Sequence, residues 1–221
     1  MADEHDLPPE SKLTRSKERW AREGKFLTGK IVRPEDQRLP PGQHLTRDWP
    51  VLDLGLTPEI SRERWRLDVY GAVENPLFWD FKTFVSQEQR QFVSDIHCVT
   101  TWSRYDNQWE GLAVRDLLAA CRPRDEANFV VLHSYDGYTT NLALDDFAAA
   151  DALLAHSWSG MPLTAEHGGP VRVVVPHLYF WKSAKWLQAI EFLDKDAPGY
   201  WEVRGYHNRG DPWLEQRYSG D

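Results

Sequence analysis

The apolar residues of this chain come in short segments separated by turn residues, and this spacing restricts the fold more than any other feature of the sequence. In the segment ERWRLDVYG, Trp65, Leu67 and Val69 alternate with polar residues, as in a strand with one buried face. Two β-rich runs within residues 128–144 flank an Asp-Gly dipeptide, which is typical of a hairpin turn. Further strands are predicted within residues 91–99, 168–176 and 186–194.

Helical signals are fewer and shorter than strand signals. Residues 79–89 predict a helix capped by Asp80, because an aspartate side chain accepts hydrogen bonds from the first free amides of a helix. Residues 145–158 predict a helix, or a helix that passes into a strand. A third helix is predicted at residues 112–122, with an inward face formed by Leu112, Leu117, Leu118 and Cys121. Because strands outnumber helices, the sequence predicts a strand-rich, mixed α+β domain.

The polar character of the first 40 residues sets them apart from the rest of the chain. We predict that residues 1–40 form a polar N-terminal extension, with a short helix at 16–26, and that residues 41–221 form the folded domain. The N-terminus lacks the apolar centre of a secretory signal, and no apolar run has the length of a membrane span. These features predict a cytoplasmic protein that does not enter a membrane.

Charge and cysteine content exclude several kinds of protein. The formal net charge of −8 argues against the basic surface that nucleic-acid binding needs. The two cysteines form no CxxC pair and cannot make a disulfide framework, so both thiols are predicted to be free. Dinucleotide-binding GxGxxG, P-loop, GxSxG and HExxH motifs are all absent from the sequence. The chemistry of this chain must therefore be sought outside those common motifs.

Cys98 is the first candidate functional residue. It follows a predicted strand and precedes residues 99–111, which we predict as a loop rich in aromatic residues and holding an arginine. A thiolate at the end of a strand can serve as a soft metal ligand or as a nucleophile. A free cysteine is more often a small buried hydrophobe, so both interpretations stay open on position alone. Cys121 completes a helix face and is predicted to lie in the core.

Residues 166–186 hold the densest group of polar and aromatic side chains. Gly168 and Gly169 allow close approach of the backbone, while hydroxyl, ammonium and guanidinium groups follow within a short distance along the chain. Such donors can hold a phosphate, and the neighbouring aromatic side chains can cover a flat ring. The alternative is an ordinary turn with exposed lysines. A third segment, residues 42–55, contains His44, Arg47 and Trp49, and its relevance depends on whether it folds back against the other two.

Four segments together resemble the molybdopterin domain of the sulfite oxidase family, from about Pro41 to Asp194. The segments LTRDWPVL and RLDVYGAVENPLFWDF are similar to its early loop, strand and turn. The segments HCVTTWS and GGPVRVVVPHLYFWKSAKW are similar to its metal-ligating cysteine region and its pterin-binding run, and they are the more specific matches. The resemblance implies the strand-rich α+β fold of that domain. Because the usual dimerisation domain of the oxidases is not found in this sequence, a monomer is expected.

The resemblance also implies a cofactor, molybdenum with molybdopterin, and a role for each matching residue. Cys98 would bind the metal, and the dithiolene of the pterin would add two more sulfur ligands. Arg47 and Arg104 would attract a substrate oxygen, and Trp49 and Trp102 would wall the pocket. The implied contacts to the pterin or its phosphate are His167, Arg172, Ser183, Ala184 and Lys185, with Ser134 and the neighbouring His133 less directly matched.

By the same resemblance, the chain is a molybdenum enzyme of two-electron oxygen-atom transfer. Sulfite oxidases follow their cysteine with an Asn-Arg-Arg run, whereas this chain reads CVTTWSR and has only Arg104 nearby. We therefore expect reduction of an S- or N-oxide. Sulfite-oxidase-like oxidation, a non-catalytic cofactor or electron carrier, and a metal-free binding protein are the alternatives. The expected partners are a small-molecule oxide or oxyanion and an unidentified electron donor or acceptor protein.

Overall fold

The structure, a computed structural model, describes residues 33–221, and the helix predicted at residues 16–26 lies outside that range. The predicted strand-rich α+β class is confirmed. The strands are β1 (His44–Leu45), β2 (Arg66–Gly71), β3 (Leu77–Asp80), β4 (Gln89–His97), β5 (Trp102–Ala113), β6 (Phe129–Ser134), β7 (Thr139–Ala143), β8 (Leu153–Trp158), β9 (Met161–Pro162), β10 (Arg172–Val174) and β11 (Leu187–Leu193). The α-helices are α1 (Phe81–Ser86), α2 (Val114–Cys121) and α3 (Leu144–Phe147).

The strands form two sheets. In the first sheet, β5 is central and pairs with β1, β4 and β8, while β8 also pairs with β9 and β10. Of these contacts, only β1 with β5 is parallel. The second sheet has the order β3-β2-β11-β6-β7, in which β2 and β11 are parallel and the other pairs are antiparallel.

The predicted alternation of β2 is confirmed by burial. Trp65, Leu67 and Val69 are fully buried and belong to the main hydrophobic core, which also includes Phe84 of α1 and Leu117 of α2. Burying side chains of this size stabilises the fold by roughly 1.5–3 kcal/mol each. A second and smaller core surrounds Cys98.

The prediction of a loop over residues 99–111 was wrong. The strand β5 begins at Trp102, so the loop is reduced to the turn between β4 and β5. Few residues of β5 follow a strict alternation, and its backbone is instead satisfied by partners on both sides, β4 and β8. A helix was correctly predicted within residues 112–122, but it begins at Val114, so Leu112 lies on β5. Leu118 is half-buried and packs against the main core, as the predicted inward face requires.

Residues 33–40, the described part of the predicted N-terminal extension, contact the first sheet. The guanidinium of Arg38 forms two hydrogen bonds with the carboxylate of Asp95, at 2.8 and 2.7 Å.

The carboxylate of Asp80 accepts a hydrogen bond from the amide of Thr83, which confirms the predicted cap of α1. Across residues 33–221, no helix has both the length and the apolar character that crossing a bilayer requires.

Candidate functional site

A cavity of about 240 Å³ brings together the three segments that the sequence singled out. It is lined by residues 49–54, by the turn after β4, and by parts of residues 166–186, together with side chains of the C-terminal tail. The predicted site residues that line it are Trp49, Cys98, Trp102, Ser134, His167, Arg172, Ser183, Ala184 and Lys185. Residues far apart in sequence therefore share one concave surface, the usual form of a ligand site.

A tight turn holds Cys98 at the end of β4. The amide of Cys98 donates to the carbonyl of Trp102 at 2.8 Å, and the amide of Thr101 donates to the carbonyl of Cys98 at 3.0 Å. Thr101 adopts a φ of 74°, in the left-handed region that a β-branched residue seldom occupies. Cys98 is 6% exposed, and its burial raises the pKa of the thiol while hydrogen bonds from Thr100 act in the opposite direction.

Two cations lie together in another part of the cavity. Arg172 is almost fully buried, and its guanidinium donates to the carbonyls of His167 at 3.0 Å and Ser183 at 2.9 Å. The ammonium of Lys185 donates to the carbonyl of Glu166 at 2.8 Å. Burial lowers the pKa of Arg172 to about 9, and burial together with the charge of Arg172 lowers that of Lys185 to about 8. The carboxylates of Asp53, Asp136 and Glu166 act on Lys185 in the opposite direction, but no contact within 4.0 Å joins either cation to a carboxylate of residues 33–221. Both cations can therefore donate to an anion placed between them.

Two glycines let backbone segments pack closely, Gly168 against Lys185 and Gly169 against Leu163. Gly168 has a φ of 97°, and a Cβ atom on it would lie 2.9 Å from the Cβ of Lys185. A Cβ on Gly169 would lie 2.3 Å from the carbonyl oxygen of Leu163. A larger side chain at either position would displace the backbone that presents Lys185 and His167, which confirms the close approach predicted from the sequence.

The segment 42–55 does fold back onto the cavity. The rings of Trp49 and His167 are stacked, with centroids 3.9 Å apart and planes 7° apart. The guanidinium of Arg172 lies over the rings of Phe180 and Trp49, at 4.2 and 5.6 Å from their centroids. The guanidinium of Arg172 therefore makes cation–π contacts with two rings, and such contacts are more favourable when the cation is buried.

Three predicted site residues do not line the cavity. Arg47 is exposed, and its carbonyl accepts a hydrogen bond from Nε of Arg104 at 3.1 Å. The guanidinium of Arg104 lies over the ring of Trp158, 4.7 Å from its centroid. His133 lies next to Ser134 on β6 but points to the other face of the sheet, where its Nε2 is 3.1 Å from a carboxylate oxygen of Glu191.

The sequence did not single out the tail residues that complete the cavity. Trp201 and Tyr206 line it, and their rings are stacked with centroids 4.9 Å apart. The pKa of Tyr206 is raised by burial, by Tyr218 and by Cys98, so its phenol lies within electrostatic range of the thiol. The density of aromatic residues in the segment GYWEVRGY was the available signal, but nothing local connects that segment to Cys98.

Lys182 takes no part in the cationic end of the cavity. Its ammonium lies 2.6 Å from a carboxylate oxygen of Glu202, and both side chains are at most 1% exposed. The same oxygen accepts hydrogen bonds from the indole of Trp181 and the hydroxyl of Thr140, both at 2.9 Å. The pair therefore fastens the C-terminal tail to the 3₁₀-helix that carries Trp181.

Comparison with known proteins agrees with this architecture. The family described as the oxidoreductase molybdopterin binding domain matches residues 54–201. An uncharacterized oxidoreductase of Bacillus subtilis (strain 168), YuiH, is 48% identical over 193 residues, which cover 86% of this chain and 98% of that protein. The protein-methionine-sulfoxide reductase catalytic subunit MsrP of Campylobacter jejuni is 26% identical over 166 residues, covering 67% of this chain but only 56% of MsrP.

A solved structure shares the fold. The sulfane dehydrogenase SoxCD from Paracoccus pantotrophus superposes with a TM-score of 0.58 at 21% sequence identity, over 63% of this chain and 40% of the SoxCD chain. The family match covers well over half of the sequence and includes the cysteine turn and the cationic segment. The chain therefore belongs to the oxidoreductase molybdopterin binding domain family, and it is a molybdenum and molybdopterin-dependent oxidoreductase of the sulfite oxidase type.

Proposed function

We propose that Cys98 gives its thiolate to molybdenum and that Arg172 and Lys185 hold the phosphate of molybdopterin. The donors fit this cofactor, because Cys98 offers a soft sulfur and the two cations offer several hydrogen bonds to an anion. Two buried polar atoms of cavity-lining residues, Oγ of Ser134 and Nε1 of Trp102, have no hydrogen-bond partner within residues 33–221. A polar ligand that reached them would remove the cost of leaving them unsatisfied, roughly 1–3 kcal/mol each.

The other predicted cofactor contacts take secondary positions in this proposal. His167 and Trp49, stacked on each other, would flank the pterin, and Ser183 and Ala184 would border its phosphate. Ser183 already fixes the strand β10, because its hydroxyl accepts a hydrogen bond from the amide of Val175 at 2.9 Å. Of the neighbouring pair on β6, we retain Ser134 and not His133, since only Ser134 lines the cavity.

We propose that the reaction is the reduction of a neutral S- or N-oxide. When bound, the cofactor supplies two-electron oxygen-atom-transfer chemistry. One observation supports a neutral substrate: the lining residues that lie next to Cys98 or within its electrostatic range, Val99, Thr100, Trp102 and Tyr206, carry no charge at neutral pH. The charge of Arg217 also acts on the thiol of Cys98, but its guanidinium does not line the cavity and donates to the carbonyls of Val99 and Pro41. Arg47 and Arg104, the expected attractors of an anion, do not line the cavity. The name of the relative MsrP, a sulfoxide reductase, supports the same direction.

The side chains that line the cavity near Cys98 each have a role in the proposed reaction. The phenol of Tyr206 would donate a hydrogen bond to the oxygen of the bound oxide and so orient that oxygen toward the metal that Cys98 would hold. The indole rings of Trp102 and Trp201 contact the apolar substituents of the substrate and exclude water from them. Each oxygen that is removed leaves as water, which takes up two electrons and two protons. We propose a separate, unidentified protein as the source of the electrons and solvent as the source of the protons.

A substrate panel tests the direction and the charge preference. With a reduced viologen dye as donor, we expect kcat/KM for neutral sulfoxides and N-oxides to exceed that for nitrate by at least tenfold, since an anion without a matched cation forgoes roughly 1.5–3 kcal/mol. Sulfite with ferricyanide as acceptor measures the opposite direction. Faster sulfite oxidation would favour the oxidase alternative, and cofactor-loaded protein that turns over no substrate would favour the carrier.

The proposed phosphate anchor gives a second prediction. Lys185→Ala removes one charge-assisted hydrogen bond to the phosphate, worth roughly 1.5–3 kcal/mol, so the cofactor should be retained about 10- to 150-fold less tightly. The measurement is the amount of pterin per protein that is still bound after dialysis. This pterin is released with acid and quantified by the fluorescence of its oxidised form. Lys195→Ala, at an exposed lysine that does not line the cavity, is the control. Equal pterin content in the two variants would contradict the anchoring role.

A further inference from the structure

The side chain of Thr100 lies within hydrogen-bonding distance of the sulfur of Cys98. Its Oγ1 lies 3.1 Å from the Sγ of Cys98, within the turn that joins β4 to β5. Either atom can donate while the sulfur is a thiol, but a thiolate has no proton, so the hydroxyl of Thr100 then becomes the donor. Thr100 is β-branched, which restricts rotation about its first side-chain torsion and limits the directions that the hydroxyl can take.

The backbone of this turn is fixed from two sides. The side-chain amide of Gln43 donates to the carbonyl of Cys98 at 3.1 Å. The guanidinium of Arg217, from the C-terminal tail, donates to the carbonyl of Val99 at 3.1 Å and to that of Pro41 at 3.2 Å. Both residues donate to carbonyl oxygens and not to the sulfur. They therefore hold the backbone of the turn and leave Thr100 as the side-chain donor to the sulfur of Cys98. The hydrogen bond to the sulfur is therefore built into the fold.

We propose that Thr100 is a positioning residue that donates a hydrogen bond to the thiolate of Cys98 and thereby raises the reduction potential of the metal bound to that sulfur. A hydrogen bond withdraws electron density from a ligating sulfur, so the sulfur donates less to the metal and the reduced state becomes easier to reach. A more easily reduced centre would alter the balance between oxide reduction and the reverse reaction. The inference rests on the proposed ligation by Cys98.

The test is a redox titration of the metal-loaded enzyme, followed by electron paramagnetic resonance of the Mo(V) state. Thr100→Val keeps the shape and removes the hydroxyl, so the midpoint potential should fall and the Mo(V) g-values should change. Thr100→Ser keeps a hydroxyl and should return both quantities toward those of the parent. Thr100 is exposed, so Thr100→Ala leaves no buried cavity and serves as the second test if the valine variant does not load the metal.

Two controls separate the possible causes. Thr101→Val makes the same chemical change one residue along the turn, at an exposed side chain with no contact to the sulfur, and should behave as the parent does. Potentials and g-values that are unchanged in both the valine and alanine variants of Thr100, or shifted equally by Thr101→Val, would overturn the inference. Cys98→Ala, measured alongside, tests the ligation itself: if the Mo(V) signal of that variant equals that of the parent, the proposed function fails as well.

Discussion

Replacing Cys98 by alanine is expected to abolish dye-linked oxide reduction while leaving the pterin bound. The variant loses the proposed protein ligand of the metal, but it keeps the cations of Arg172 and Lys185, which lie in a separate segment of the cavity wall. Catalysis and cofactor retention should therefore separate in this variant. Steady-state turnover with a reduced viologen dye, together with molybdenum and pterin content, measures the two properties independently.

The second cysteine provides a matched control for this experiment. Cys121 is fully buried on α2, belongs to the main core and is free of any disulfide, as Cys98 is. Burial raises the pKa of its thiol to about 12, so it stays protonated and apolar at neutral pH. Cys121→Ala should lower stability by a modest packing term and keep full turnover. Full activity in Cys98→Ala would contradict the ligand assignment. Activity lost in Cys121→Ala as well would show that loss of a buried thiol has a general effect.

The second large effect is expected on stability, from Glu202→Ala. Removing this carboxylate leaves the ammonium of Lys182 fully buried beside carbonyl oxygens of Asn141, with no opposite charge in contact among residues 33–221. Breaking a buried ion pair from one side costs roughly 3–5 kcal/mol, because the remaining charge cannot be solvated. The free energy of unfolding from urea titration, followed by tryptophan fluorescence, gives the value.

Two comparisons show whether charge is the cause of that loss. The double variant Lys182→Met with Glu202→Leu removes both charges and should recover much of the stability, since apolar pairs often replace buried ion pairs at little cost. Glu74→Ala breaks an exposed pair with Arg122, in which the side chains are 56% and 59% exposed, and should cost less than about 1 kcal/mol. Equal losses in Glu202→Ala and Glu74→Ala would show that burial of the pair has no special effect.

The strands that the sequence predicted correctly are those whose apolar pattern is local. Trp65, Leu67 and Val69 alternate because one face of β2 meets the core and the other does not. The longest strand that the sequence missed, β5, has a mixed pattern with buried Ser103 and Asn107, because its two edges are covered by different partners. Its strand state depends on pairing with β4, which lies just before it in the chain, and with β8, which comes about 40 residues later.

The residues of the candidate site also fall into those that the sequence identified and those whose position only the structure shows. Cys98 and the segment around Arg172 and Lys185 were recognisable because each combines its chemistry within a few residues. The sequence placed His133 and Ser134 together, yet adjacent residues on a strand face opposite sides, so only Ser134 lines the cavity. The role of Arg47 and Arg104 depends in the same way on side-chain direction, which a linear motif does not contain.

The sequence by itself determined the strand-rich class, because short-range patterns specify strands. Its compact motifs also carried the resemblance that implied the cofactor and the cysteine that we propose as ligand. Only the tertiary structure decided what surrounds that cysteine. Trp201 and Tyr206 reach the cavity because Glu202 and Arg217 fasten the tail to Lys182 and to the turn after β4. These contacts join residues 20 and 118 positions apart, and interactions at such separations form only when the whole chain has folded and water has been excluded from around the charges.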